Sequence, residues 1–78
     1  MENADATAAR LAELMAEMAW VRRLARALVK SEVVADDVAQ ETWLRASRRL
    51  PQDGRPLRPW LHRVVVNVVR MLHRGASR

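Results

Sequence analysis

The sequence contains no cysteine, no tyrosine and no phenylalanine, and it has only two glycines and three prolines. Without cysteine, neither disulfides nor thiolate metal sites can stabilise the fold. A chain of 78 residues suffices for one small domain and not two, and such a domain must depend on well-packed helices. Half of the residues are hydrophobic, which argues against disorder. Because alanine and leucine are plentiful, the composition predicts an all-α domain.

Acidic residues are nearly missing from the second half of the chain. Residues 1–41 contain five basic and eight acidic side chains, whereas residues 42–78 contain nine arginines and one acid, Asp53. A strongly basic half suits a polyanion such as nucleic acid, because binding releases condensed counterions. The alternative is charge that only keeps a small protein soluble.

Segments typical of membrane or secreted proteins are missing as well. The apolar run from Val64 to Val69 is far too short to span a bilayer. The first residues, MENADATAAR, are acidic and polar where a secretory signal is basic and then apolar. The sequence therefore predicts a cytoplasmic protein with no membrane partner.

Helical periodicity divides the chain into three elements. We predict helices near residues 7–29, 32–49 and 59–74, after a flexible N-terminus over residues 1–6. Ser31 is a good N-cap for the central helix, and Pro51 stops that helix. Pro59 suits the first turn of the last helix and Gly75 its end. Together the three helices predict a compact three-helix bundle.

Each predicted helix has one apolar face that must be buried. Trp43, on the central helix, is expected to be substantially buried. The expected core positions are Leu11, Met15, Met18, Val21, Ala25 and Leu28 on the first helix; Ala35, Val38, Ala39, Thr42, Trp43, Ala46 and Leu50 on the second; and Leu61, Val64, Val65, Val68 and Leu72 on the third.

The opposite side of the central helix carries a stripe of residues at helical spacing. One interpretation is a surface for a partner, made of acidic and amide groups around an exposed leucine. The other is an ordinary solvated face, since single exposed apolar residues are common. The members of the stripe are Asp37, Gln40, Glu41, Leu44 and Arg48.

The loop over residues 50–58 and the last helix together indicate a nucleic-acid surface. Arginines hold phosphates, amides hydrogen-bond to base edges, and an aromatic ring can stack on a base. The alternatives are core packing for Trp60, an ordinary surface amide for Asn67 and a plain connector for the loop. The candidate DNA-binding residues are Arg55, Arg58, Trp60, His62, Arg63, Asn67, Arg70 and Arg74.

Nothing in the sequence indicates an enzyme. There is no Gly-rich phosphate loop, and the side chains of Asp36 and Asp37 diverge by about 100° on a helix. His62 and His73 are roughly 16 Å apart along the last helix, too far to share a metal ion. We therefore expect no catalytic activity, no metal and no other cofactor.

Two segments resemble the same protein family. Residues 36–45, DDVAQETWLR, are similar to the core-polymerase-binding segment of bacterial sigma factors of the extracytoplasmic-function (ECF) group. Residues 58–67, RPWLHRVVVN, followed by Arg74, resemble that family's Trp-Leu-x-Arg-Ile-Ala-x-Asn pattern and closing basic residue. The chain departs from the pattern at Val65, Val66 and Met71, where the family commonly has a small, a basic and an acidic residue. The resemblance covers about residues 18–75.

This resemblance implies a sigma-factor region 2 domain over residues 7–75. The stripe of the central helix would dock on core RNA polymerase, at the clamp helices of the largest subunit. The loop and the last helix would recognise the −10 element on the non-template single strand of promoter DNA and hold bases flipped out of the melted strand. Residues 76–78 would begin a linker or tail, with the region 4 domain that recognises the −35 element absent.

Two other functions stay open as alternatives. A sigma-like interaction module would bind polymerase or an anti-sigma factor without recognising DNA. Val66 and Met71 favour this alternative, because each removes a charged group from the last helix. An unrelated basic helical DNA-binding protein is the other alternative, but it leaves the stripe from Asp37 to Glu41 unexplained.

Overall fold

Three α-helices make up the part of the chain that the computed structural model describes, which is the backbone of residues 2–76 and the side chains of residues 5–75. The helices are α1 (Glu2–Leu28), α2 (Glu32–Arg48) and α3 (Leu57–Ala76). Each helix packs against both others, so the three enclose one core. The predicted all-α three-helix bundle is confirmed.

The start and the end of α2 follow the local signals in the sequence. Ser31 has an extended backbone, and its Oγ accepts a hydrogen bond from the Val34 amide at 3.3 Å, as an N-cap does. At the other end, the amide of Arg49 donates to the carbonyl of Ala46 at 3.2 Å. α2 thus ends at Arg48, one residue earlier than predicted and three residues before Pro51.

The other two helices are longer than predicted. α1 begins at Glu2, so residues 2–6 are helical where a flexible segment was expected; alanines and acidic side chains suit a helix N-terminus. α3 begins at Leu57, which is buried, and Pro59 still lies among the first residues, whose amides have no intrahelical acceptor. It continues through Gly75 to Ala76, so Gly75 does not end the helix. Residues 77 and 78 of the predicted tail lie outside the described residues.

The buried faces of α2 and α3 are those predicted. α2 buries Ala35, Val38, Ala39, Thr42 and Ala46, and α3 buries Leu57, Leu61, Val65 and Val68. The remaining predicted positions of these two helices are partly buried and pack against this core. Trp43 is one of them, so it is half-buried where the sequence predicted a substantially buried ring.

α1 is rotated from the predicted orientation, although Val21 and Ala25 are buried as predicted. Its fully buried apolar side chains are Leu14, Val21 and Ala25, whereas Met15 and Leu28 are 65% and 44% exposed. The predicted burial of Met15 and Leu28 is therefore wrong. Apolar residues occur on every side of α1, so the hydrophobic pattern alone does not determine how the helix is rotated about its axis.

The rotation of α1 can be tested with two adjacent leucine-sized side chains. Leu14→Ala should lower the free energy of unfolding by about 2–5 kcal/mol, because it opens a cavity in the core. The neighbouring change Met15→Ala should alter it by no more than about 0.5 kcal/mol, because Met15 is exposed. Chemical denaturation measures both; a larger loss for Met15→Ala than for Leu14→Ala would contradict the packing described.

Candidate nucleic-acid interface

The C-terminal end of α2 and one flank of α3 enclose a cleft of about 500 Å³. Three of its residues, Trp60, Val64 and Asn67, follow one another at i, i+4 and i+7 and therefore share one flank of α3. Asn67 is exposed, and Trp60 is half-buried against the core. We call this site the arginine cleft, and it is lined by Arg45, Arg48, Arg49, Trp60, Val64 and Asn67.

The arginines of this cleft come from α2 and its end, which belong to the basic half of the chain but contain none of the predicted DNA-binding residues. Arg45 and Arg49 were not predicted as site residues, and Arg48 was assigned to the partner-binding stripe. Arg45 also joins two helices: its Nε donates to Glu41 Oε2 at 2.9 Å, and its Nη2 contacts Met71 Sδ. The basic cluster is visible in the sequence, but its closeness to Asn67 depends on how α2 packs against α3.

A second cleft, of about 440 Å³, lies between the loop over residues 49–56 and the start of α3. The loop turns at Gly54, whose φ of +77° is in the left-handed region that favours glycine. Beyond that turn, the amide of Arg55 donates to Asp53 Oδ1 at 3.1 Å. We call this site the loop cleft, and it is lined by Pro51, Asp53, Arg55, Pro56, Pro59, Trp60 and Arg63.

Trp60 lines both clefts, so its ring lies between them. The structure brings four of the predicted DNA-binding residues to this place: Arg55 and Arg63 at the loop cleft, Asn67 at the arginine cleft, and Trp60 at both. The two clefts together offer guanidinium groups, an amide and an indole ring. These are the groups that hold phosphates, contact base edges and stack on bases.

Four other predicted DNA-binding residues line neither cleft. His62, Arg70 and Arg74 are exposed along α3. Arg58 is directed to α1 instead: its Nε donates to Glu17 Oε2, and its guanidinium carbon lies 5.2 Å from the centroid of the Trp20 ring. The charge of Arg58 is thus already paired with Glu17 within the bundle.

The predicted partner-binding stripe forms the outer crest of α2, between the side that packs on α1 and the side that packs on α3. Its members are exposed except for Glu41, which is partly buried and paired with Arg45. Leu44 is 41% exposed. We call these five residues the α2 crest: Asp37, Gln40, Glu41, Leu44 and Arg48.

An apolar groove of about 600 Å³ runs beside the α2 crest, between α1 and α2. Gln40 belongs to both the crest and the groove. The sequence analysis missed this groove because it placed Met15 in the core, whereas the structure exposes that side chain at the groove wall. We call it the α1–α2 groove, and it is lined by Met15, Met18, Arg22, Asp36, Ala39, Gln40 and Trp43.

The part of the chain that the structure describes shows no group of three or more His, Asp and Glu side chains that could hold a metal ion. Among the same residues, no helix combines the length and the apolar character needed to cross a membrane.

Comparison with known proteins gives one match. The family model described as Sigma-70 region 2 matches residues 14–78. Neither the curated proteins nor the solved structures give a match to the chain.

If Arg58 holds α3 to α1, removing its side chain should lower the free energy of unfolding. Arg58→Ala removes an ion pair and a cation–π contact, both partly exposed, so it should lower the free energy of unfolding by about 1 kcal/mol. Arg63→Ala, five residues further along α3 and exposed, should change it by less than about 0.5 kcal/mol. Equal thermal midpoints for Arg58→Ala and the unmodified protein would contradict a structural role for Arg58.

Proposed function

The chain belongs to the sigma-70 region 2 family, and we propose that it is a sigma-factor domain that docks on core RNA polymerase and recognises and melts the promoter −10 element. The observation that carries the proposal is the position of Trp60 between two arginine-lined clefts, with Asn67 exposed in one of them. Within the family, we assign the chain to the ECF group, on the two motifs at residues 36–45 and 58–67. Core RNA polymerase works in the cytoplasm, so we propose the same location for this protein.

In this proposal, the arginine cleft and the loop cleft hold the non-template single strand. Arg48, Arg49 and Arg63 bind phosphates, and among the described residues none of the three is in an ion pair. Asn67 contacts a base edge, since an amide can donate and accept at the same base. Exposed Arg70 and Arg74 extend the positive surface along α3, and His62 is an exposed hydrogen-bonding group on the same helix.

Melting requires a group that occupies the place of a base in the stack. Trp60 suits this role because its ring is anchored against the core and lies at the start of α3, between the two clefts. A base displaced by the ring would enter the loop cleft, where Arg55 and backbone groups of the loop can hold it. Arg58 contributes indirectly, by fixing the start of α3 to α1.

The α2 crest and the α1–α2 groove form the proposed docking surface for the clamp helices of the largest polymerase subunit. A helix of a partner needs an apolar groove with polar groups at its edge. Met15, Met18 and Trp43 supply the apolar wall, and Gln40 and Asp36 supply the polar edge. Leu44 provides an exposed apolar contact on the crest itself.

A second candidate is an interaction module that binds polymerase or an anti-sigma factor without recognising DNA. The size of the α1–α2 groove and the exposure of Met15 favour it, because they supply a protein-binding surface that is separate from the arginine cleft and the loop cleft. The two candidates differ in what Asn67 does.

Docking can be tested by removing side chains from the crest. The double change Gln40→Ala with Leu44→Ala should weaken binding to core RNA polymerase by at least tenfold, because an apolar contact and an amide contact are both lost. Circular dichroism should stay unchanged, since both side chains are exposed. Arg23→Ala, at an exposed position of α1, is the control; equal affinities for the double variant and the control would contradict docking through the crest.

Base recognition can be tested at Asn67. Asn67→Ala should reduce the preference between the cognate and mutated −10 sequences by about 1–3 kcal/mol, if the amide makes a good base contact. The assay is abortive transcription from a pre-melted template with reconstituted polymerase, on several −10 variants.

Arg49→Ala provides the contrast to Asn67→Ala. Arg49→Ala should lower abortive transcription on all −10 variants about equally. It should also reduce the salt dependence of DNA binding by about one phosphate contact. If Asn67→Ala and the unmodified protein show preferences of the same size among the −10 variants, Asn67 does not contact bases and the interaction module becomes the better account.

A further inference from the structure

One buried charge lies outside every surface described above. Arg10, on α1, is 6% exposed, although arginine is rarely buried unless it is paired. Its Nε donates to the carbonyl of Pro51 at 2.9 Å, and its Nη2 donates to the carbonyl of Arg55 at 2.8 Å. Its Nη1 pairs with Glu13 Oε2 at 2.7 Å. Burial of this charge is therefore compensated by one hydrogen-bond acceptor at each of the three guanidinium nitrogens.

The two carbonyls that Arg10 holds belong to the two ends of the turn over residues 51–55. Because the guanidinium is planar and its N–H groups diverge at fixed angles, one side chain sets the distance between those two ends. Asp53 Oδ1 lies a further 3.7 Å from Arg10 Nη2. Within the loop itself, Asp53 accepts from the Arg55 amide, and Gln52 Nε2 donates to the Leu50 carbonyl at 3.4 Å.

The anchored turn forms one wall of the loop cleft. Pro51, Asp53 and Arg55 all line that cleft, and each either bonds to Arg10 or lies within 4 Å of it. Arg10 itself does not line the cleft and lies outside the segment that the family model matches. The shape of the loop cleft thus depends on a residue that is not part of the cleft.

We propose that Arg10 is a positioning residue that sets the shape of the loop cleft and thereby the base preference at the nucleotide held there. This inference rests on the proposed function. It predicts that loosening the turn changes recognition at one or two adjacent positions of the single strand. Positions contacted by Asn67 and the arginine cleft keep their preferences.

The test compares Arg10→Lys with the unmodified protein, because lysine keeps the charge but cannot span both carbonyls with a planar fork. Each protein, bound to core RNA polymerase, selects from a pool of randomised single-stranded oligonucleotides, and sequencing gives the base preference at each position. Arg10→Lys should lower the preference at one or two adjacent positions by about tenfold. Arg23→Lys, the same change at an exposed position of α1, should give the profile of the unmodified protein.

Asp53→Ala provides a second variant that acts from the loop side: it keeps Arg10 but removes the carboxylate beside Arg10 Nη2 and the acceptor of the Arg55 amide. Because it removes the one acid of residues 42–78, it should raise affinity for all oligonucleotides while lowering the preference at the same positions as Arg10→Lys. Thermal denaturation shows whether Arg10→Lys folds. If it does not fold, the base preferences of Asp53→Ala still test the inference.

Three results would overturn the inference. If the profiles of Arg10→Lys and Asp53→Ala both coincide with that of the unmodified protein, Arg10 does not position the cleft. If all positions lose preference equally, Arg10 supports only the fold. In either case the proposed function stands, whereas an unmodified protein without any base preference would overturn both.

Discussion

The burial of Leu61, Val65 and Val68 is the constraint on which the functional surface depends. These side chains hold one face of α3 against α1 and α2, and the 3.6-residue period then determines where every other residue of the helix lies. Trp60 and Asn67 fall on the flank beside the end of α2. In a chain without disulfides, this packing is also what keeps the two clefts on either side of Trp60 in place.

The two proposed partner surfaces are neighbours that meet on α2. Arg48 belongs both to the α2 crest and to the arginine cleft. Two turns earlier, Glu41 on the crest pairs with Arg45, which lines the cleft and reaches Met71 on α3. A polymerase subunit bound at the crest would therefore lie directly beside DNA bound at the cleft. This arrangement suits a protein that must hold strands apart at the surface of a larger enzyme.

The sequence predicted α2 and α3 well because each has one clear apolar face and polar residues opposite. It did not predict the rotation of α1, because Leu14, Met15 and Trp20 point to three different sides of that helix and more than one face is apolar enough to be buried. The sequence predicted only some of the site residues, because packing between helices brings the others into the site. The residues of α3 follow from its period, but the arginines contributed by α2 and the anchoring of the loop by Arg10 are tertiary contacts between distant segments. Arg58 looked like a DNA-binding residue until the structure showed its pairing with Glu17 across 41 positions of sequence.

The absence of cysteine from the sequence allows a direct test of the central claim, that one small bundle holds polymerase and single-stranded promoter DNA at the same time. Leu44→Cys and Asn67→Cys each give a single attachment site for a photo-crosslinker, and both can be assembled with core RNA polymerase on a pre-melted promoter fragment. We predict that the probe at position 44 crosslinks to the largest polymerase subunit, and that the probe at position 67 crosslinks to the non-template strand within the −10 element. Crosslinks from position 67 to protein alone, in an assembly where position 44 still reaches the largest subunit, would contradict this account.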